Sequence, residues 1–241
     1  MNFVAIDVET ANSDFASICQ VGVAAFRDGM LHDTWESLVD PEDYFDAMNV
    51  SVHGIDERAV RGAPKWQTIH EFLGPWLQDH VVASHTPFDR AALFRACDKI
   101  GLPPHNCTWL DTARVVRRAW PAFAKKGYGL ANVTKHLKIQ FQHHNAKEDA
   151  RAAGEVLIRA MAETGLTVEQ WLDRTAKPIN LLSAAPVSRR GNLVVGDQDI
   201  ARLSGHERSS KHRKAEELMA QGQAIRIIGE SDCRRLLALH T

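Results

Sequence analysis

The segment Phe3-Val-Ala-Ile-Asp-Val-Glu-Thr10 sets an apolar, β-favouring run against two carboxylates, Asp7 and Glu9. Side chains two residues apart on a strand share a face, so both acids leave a largely buried strand in the same direction. Carboxylates held this close repel each other unless a cation neutralises them. The fold must therefore end one core strand at a polar, oxygen-rich place. Asp-x-Glu is also a common tripeptide at exposed strand ends, so its meaning depends on what else converges there.

The following segments predict an α/β domain with a mixed sheet. Phe3 to Val8, Ile18 to Phe26 and Thr34 to Val39 read as strands, with Arg27-Asp-Gly-Met30 as a hairpin turn between the second and third. Pro64 to Leu77 carries Trp66, Ile69, Phe72, Leu73 and Trp76 at helical spacing, with Pro75 expected to distort its end. Val81 to Ala83 reads as a buried strand. Asp89 to Ile100 reads as a helix with Ala92, Leu93, Ala96 and Ile100 inward, closed by Gly101. Trp109 to Asp111 is a short strand before a helix through Trp120, and Leu130 to Leu137 is helical. Ala146 to Thr164 is a long amphipathic helix, with Asn145 as N-cap and Glu148 placed for a capping box. Strands first and interleaved helices later give the α/β class.

Composition narrows the setting. A hydrophobic fraction of 44% and a charged fraction of 24% suit a globular domain with a sizeable core. The net charge of -1 confers no overall attraction for nucleic acid, so any such contact rests on a local patch. Cys19, Cys97, Cys107 and Cys233 form no CxxC pair, which argues against a zinc site and for reduced thiols in a cytoplasm. No apolar run approaches the roughly 18 residues of a membrane span, and the first residues lack the layout of a secretory signal. The expected setting is cytoplasmic, with no membrane partner.

Two further segments add candidates for chemistry. Asp89 follows Ala83-Ser-His85-Thr86-Pro-Phe88 and opens a helix, where the macrodipole favours an acid in any case. In His144-Asn-Ala-Lys-Glu-Asp149, a capped helix aims Asp149 while the preceding loop aims a histidine, and His143 competes with His144 for that place. Acids on strand and helices make a hard oxygen site of the kind magnesium or manganese prefers. A histidine beside it can take a proton from water.

Taken together, Asp7-Val-Glu9-Thr10, Ala83-Ser-His85-Thr86-Pro-Phe88-Asp89 and His144-Asn-Ala146-Lys-Glu-Asp149 resemble the three motifs of the DnaQ-like, DEDDh-type 3′–5′ exonucleases. The likeness is strongest to stand-alone relatives of the polymerase III epsilon proofreading subunit. Supporting matches are Asn49-Val-Ser-Val-His53-Gly54-Ile55 and Trp109-Leu-Asp111-Thr112, so the resemblance spans residues 2 to 163. It implies a ribonuclease H-like mixed sheet flanked by helices, and its motif spacing selects His144 over His143.

By the same resemblance, Asp7, Glu9, Asp89 and Asp149 hold two divalent ions, Mg2+ or Mn2+, and His144 is the general base for phosphodiester hydrolysis. Thr10, His53, Gly54, Ile55, His85 and Thr86 would lie on the substrate, with Thr86 standing where the family often has asparagine. The implied substrate is a single-stranded 3′ end, DNA favoured over RNA, in repair or proofreading. An RNA-trimming exonuclease and a non-catalytic scaffold on a vestigial nuclease fold are the other readings. Lys125-Lys126-Gly-Tyr128 offers charge and an aromatic ring for a nucleic-acid backbone, or is a solvated loop.

Residues 1–176 thus form the expected exonuclease domain, and 177–192, with Pro178, Ser183, Pro186, Ser188 and Gly191, the expected linker. In residues 193–241, Leu193 to Val195 and Ile225 to Ile228 read as strands. Ser210 to Ala220 reads as a basic-faced helix and Ser231 to Leu237 as a closing helix. This segment resembles the second half of a BRCT domain. It lacks the first half, leaves Lys211 as the one candidate phosphate ligand and has Cys233 where an aromatic residue is usual. The expected product is a small, incomplete α/β module open to a protein partner.

Overall fold

Alternation along the first strand decides the layering. Val4, Ile6 and Val8 bury themselves on one face, while Phe3 and Ala5 bury themselves on the other. Both faces are thus apolar, and each takes a layer of helices. The computed structural model of the chain describes residues 2–123, 127–177, 191–195 and 225–229.

Strands β1 (Asn2–Thr10), β2 (Ile18–Arg27), β3 (Met30–Leu38), β4 (Val81–Ser84) and β5 (Thr108–Asp111) form one sheet in the order β3-β2-β1-β4-β5. The β1–β2 and β2–β3 pairs are antiparallel, and the β1–β4 and β4–β5 pairs are parallel. The hairpin turn is two residues long. Arg27 pairs with Met30, and Asp28 and Gly29 both have positive φ, as a type I′ turn requires. That turn starts β3 at Met30, four residues before the expected Thr34.

On the Val4 face lie α2 (Trp66–Leu77) and α3 (Phe88–Lys99), whose Ile69, Leu73, Leu77, Ala92, Leu93 and Ala96 meet the sheet. α2 continues through Pro75 to Leu77, so proline is accommodated in its last turn. Two inward expectations fail here. Phe72 is 61% exposed and stacks on Trp35 of β3, and Ile100 is 44% exposed because it caps α3 instead of continuing it.

The Phe3 face carries α6 (Ala146–Thr164) and α7 (Val168–Ala176), through Ala150, Leu157, Ala160, Val168 and Trp171. α6 passes so close to β2 that a methyl group on Gly154 would lie 2.1 Å from the Phe26 ring. Phe26 in turn stacks on Phe3 with ring centroids 4.9 Å apart. The remaining helices are α1 (Ala47–His53), α4 (Thr112–Ala119) and α5 (Leu130–Leu137), and α4 and α5 pack against α6 through Val116, Leu130, Val133 and Val156. Helices α1 and α7 are not in the sequence reading: α1 buries no residue, and α7 begins three residues after the Gly165 cap that ends α6.

The chain divides into two compact units, residues Met1–Ile179 and Asn180–Thr241. In the second unit, β6 (Gly191–Val195) and β7 (Ile225–Gly229) form a parallel pair, Leu193 opposite Ile227. The sequence readings on Lys125, Lys126, most of the 177–192 linker, the Ser210 to Ala220 helix with Lys211, and the closing helix with Cys233 lie outside the described residues. Among the described residues no helix is long and apolar enough to cross a membrane.

Candidate active site

Asp7 and Glu9 occupy odd positions of β1, which face α6. Across the ladder stand Gly22, opposite Asp7, and Gln20, opposite Glu9. Gly22 sets the depth of the site. A methyl group there would lie 2.1 Å from the Lys147 nitrogen and 2.3 Å from the Ala146 carbonyl carbon. Glycine in mid-strand therefore lets the first turn of α6 rest directly on the sheet. Gln20 Oε1 accepts from the Ala146 N–H at 3.1 Å. Asn145 caps the helix by accepting from the Glu148 N–H at 3.1 Å, and its Nδ2 donates to Glu36 of β3 at 3.4 Å. Lys147 pairs with the same Glu36. The capping box is incomplete, since the Glu148 carboxylate turns to Arg151 at 2.8 Å.

Seated in this way, α6 presents Asp149 to β1. Carboxylate oxygens of Asp7, Glu9 and Asp149 all lie within 4.8 Å of one another. Asp89 joins them from α3: it is 2% exposed, and its Oδ1 accepts from the Val8 N–H, between the two acids of β1, at 3.1 Å. Burial raises the Asp7 carboxyl well above its ordinary value, and the charges of Asp89, Asp149 and Glu9 raise it further. Burial and the Asp149 charge push Glu9 up to about 7. Asp89 is also pushed up to about 7, chiefly by burial, against the opposing bond from Val8. Four acids that resist ionising together are a site short of positive charge, which is what a hard divalent cation supplies.

Two histidines flank Asp149. Their rings stack with centroids 3.9 Å apart. His143 Nδ1 bonds Asp149 Oδ1 at 2.8 Å, whereas His144 donates its backbone N–H to Asp149 Oδ2 at 2.7 Å. The His144 ring itself makes no hydrogen bond to the described residues. Its backbone sits at φ 64°, and partial desolvation with the neighbouring His143 lowers its pKa. The ring that touches Asp149 is thus His143, while the His144 ring stacks on it.

The remaining sequence candidates divide. Thr10 is buried, and Asn49 Nδ2 donates to its carbonyl at 2.9 Å. The Ile55 N–H donates to His53 Nδ1 at 3.0 Å, so Nε2 carries the proton and donates to the Thr10 carbonyl at 3.1 Å. His53, with both ring nitrogens engaged, therefore braces the end of β1, and Ile55 is 8% exposed. Gly54 ends α1 in the left-handed conformation and is exposed.

His85 is engaged within the protein. It is 8% exposed, with Nδ1 on the Thr112 hydroxyl and Nε2 on the Tyr128 carbonyl, both at 2.8 Å. It is a strut between β4, α4 and the loop before α5. Thr86 turns the chain at φ 98°, a costly place for a β-branched residue. Sequence reasoning passed over Gly22, for which a lone glycine among valines in mid-strand is the signal, and assigned Asn49 no role of its own.

A protein-family model described as exonuclease (RNase_T) matches residues 4–157. The chain belongs to the exonuclease family. Its scaffold accordingly has the ribonuclease H-like fold. Among curated relatives, this exonuclease chain is 29% identical over 166 residues to the PolC-type DNA polymerase III of Caldanaerobacter subterraneus subsp. tengcongensis. The match covers 66% of this chain and 11% of that protein, so the chain spans about a tenth of the length of its PolC-type relatives. It is 27% identical over 195 residues to exodeoxyribonuclease 10 of Escherichia coli, covering 78% of this chain and 82% of that one. Among solved structures, exonuclease X in complex with 5′ overhanging duplex DNA superposes with a TM-score of 0.59 at 24% identity. That match covers 72% of this chain and 99% of the other.

Proposed function

We propose that the protein is a DEDDh-type, metal-dependent 3′–5′ exonuclease that removes nucleotides from single-stranded DNA 3′ ends, in repair or proofreading. The convergence of Asp7, Glu9 and Asp149 oxygens within 4.8 Å, in a chain of the exonuclease family, carries this reading. Asp7, Glu9, Asp89 and Asp149 would hold two divalent ions, Mg2+ or Mn2+, since the donor set is all oxygen and short of positive charge. Such ions supply electrostatic stabilisation of the attacking and leaving oxygens.

The chain's own groups do the rest. His144, with an unengaged ring and a lowered pKa, takes the proton of the attacking water. The P–O3′ bond breaks, releasing a nucleoside 5′-monophosphate and leaving a new 3′ hydroxyl on the shortened strand. His143 orients Asp149, much as an outer partner orients a ligand. Thr10 and Gly54 lie at the end of β1, where the terminal nucleotide would enter, and Thr86 shapes the loop that carries Asp89.

The relatives named for DNA favour DNA over RNA as substrate. The test is a gel assay on a 5′-labelled single-stranded DNA oligonucleotide and its RNA twin, in magnesium or manganese, with Asp7→Ala as control. The expected result is a ladder shortening from the 3′ end of the DNA, absent with chelator or in the variant. Shortening of the RNA alone would assign an exoribonuclease. No product from folded protein on either strand would retire the catalytic reading in favour of a scaffold. Residues 1–176 are proposed as the catalytic domain, 177–192 as a linker, and 193–241 as a BRCT-like half module for a protein partner.

A further inference from the structure

A cavity of about 480 Å³ lies at the C-terminal ends of β4 and β5, lined by Ser84, Thr86, Asp111, Arg90, Arg114 and Arg117. Leu172, Thr175 and Ala176 of α7 also line it. In a chain of net charge -1 this concentration of cations is unusual. Among the described residues, none of the three arginines makes an ion pair. The one acid in the wall is already engaged: Asp111 Oδ1 accepts the backbone N–H groups of Thr86, Ala113 and Arg114 at 3.3, 2.9 and 3.2 Å.

The guanidiniums are held in place by other means. Arg117 lies 3.5 Å from the centroid of the Tyr128 ring and Arg90 5.3 Å from that of Phe94, contacts that orient a planar cation without neutralising it. Arg118 stands behind them, donating to the Arg114 carbonyl at 2.9 Å and the Lys177 carbonyl at 2.6 Å. Burial lowers its pKa, and the charges of Arg114, Arg174 and Arg117 lower it further against the opposing charge of Asp111.

The cleft and the carboxylate site share one loop. Thr86 lines the cleft, and Asp89, three residues later, bonds to β1. Three residues of chain reach at most about 11 Å, so the cleft lies close to the carboxylate site. A strand whose 3′ end sits among Asp7, Glu9 and Asp149 can continue only in the 5′ direction. Any phosphate beyond the site therefore belongs to upstream nucleotides.

Resting on the exonuclease reading above, we propose that Arg90, Arg114 and Arg117 form a phosphate-binding cleft that holds the backbone of the substrate strand 5′ of the scissile bond. Arginine suits this role because its planar fork matches phosphate oxygens. The contact is independent of base sequence and sets how firmly a long strand is held between cuts.

The test compares the full-length protein with a R90A/R114A/R117A variant and, to guard against misfolding, with single Arg114→Gln and Arg117→Gln variants. Binding of a labelled single-stranded oligonucleotide is followed by fluorescence anisotropy at several salt concentrations, in an Asp7→Ala background that prevents cutting. Loss of three contacts should lower the slope of log affinity against log salt by about 2, at about 0.7 for each neutralised phosphate. Each single variant should lower it by about 0.7. In the cutting-competent background, KM should rise for the oligonucleotide much more than for thymidine 5′-monophosphate p-nitrophenyl ester, which is too short to reach the cleft.

An unchanged slope in folded variants, or equal losses on both substrates, would overturn the proposal. So would a cleft-dependent gain in affinity for thymidine 5′-monophosphate with no change in slope, which would make this a product site. Hydrolysis of the ester by the parent protein tests the exonuclease reading separately, so failure of one is not mistaken for failure of the other.

Discussion

At Asp149 two histidine rings lie side by side and only one bonds the carboxylate. If His144 is the base and His143 the orienting group, their removal should cost different amounts. His144→Ala should lower kcat by about 10²- to 10⁴-fold. His143→Ala should cost about 10- to 100-fold and act mainly on the metal concentration required. Steady-state kinetics across a magnesium titration checks both, and the reverse order would make His143 the base. Thr86 carries a different expectation. A β-branched residue at φ 98° stores strain of about 1–3 kcal/mol. Replacement by glycine should stabilise the protein by up to ~1 kcal/mol once the greater freedom of the unfolded chain is counted, as measured by urea denaturation.

Most of the elements were legible because their signals are local. A continuous apolar, β-favouring run named β1, the Asp28-Gly29 pair named the hairpin, and Asn145 marked the start of α6, which caps as expected. Helix α1 escaped because its polar side chains act singly: Asp46 caps it, Asn49 grips the Thr10 carbonyl, and none of its residues is buried. Phe72 was misplaced because helical spacing cannot tell a core-facing residue from one that packs sideways on Trp35. The contact of α6 with β2 is the element on which the site depends most. Gly22→Ala should push the start of α6 off the sheet, costing about 1–3 kcal/mol or more. It should also abolish activity, since Asp149 moves with the helix. Thermal unfolding together with the gel assay checks this, and an active Gly22→Ala enzyme of unchanged stability would refute it.

For the molecule as a whole, the acidic cluster links metal, pH and stability. Glu9 and Asp89 lie near 7 in the fold against ordinary values of 4.5 and 3.8. Between those limits the folded chain holds more protons than the unfolded one, so stability is greatest below the ordinary values and is lost as pH rises through about 7. In chelator the Tm should therefore fall between pH 5 and pH 8. Magnesium or manganese binds the folded, ionised site and should lessen that fall. Calorimetry with and without metal checks this, and a Tm independent of metal at pH 8 would contradict a metal-holding cluster.

Apolar runs and capping act over a few residues, so the order of amino acids was enough to specify the strand that carries Asp7 and Glu9, the cap that starts α6 and the α/β class. Three other outcomes came only with the packed fold. The His143 ring, not the His144 ring, bonds Asp149; His53 and His85 spend both ring nitrogens inside the protein; and three arginines gather beside the active site. Those outcomes depend on how closely elements distant in the chain approach one another. Gly22 against Ala146 and Lys147, 124 residues away at the nearer, is where that distance is set.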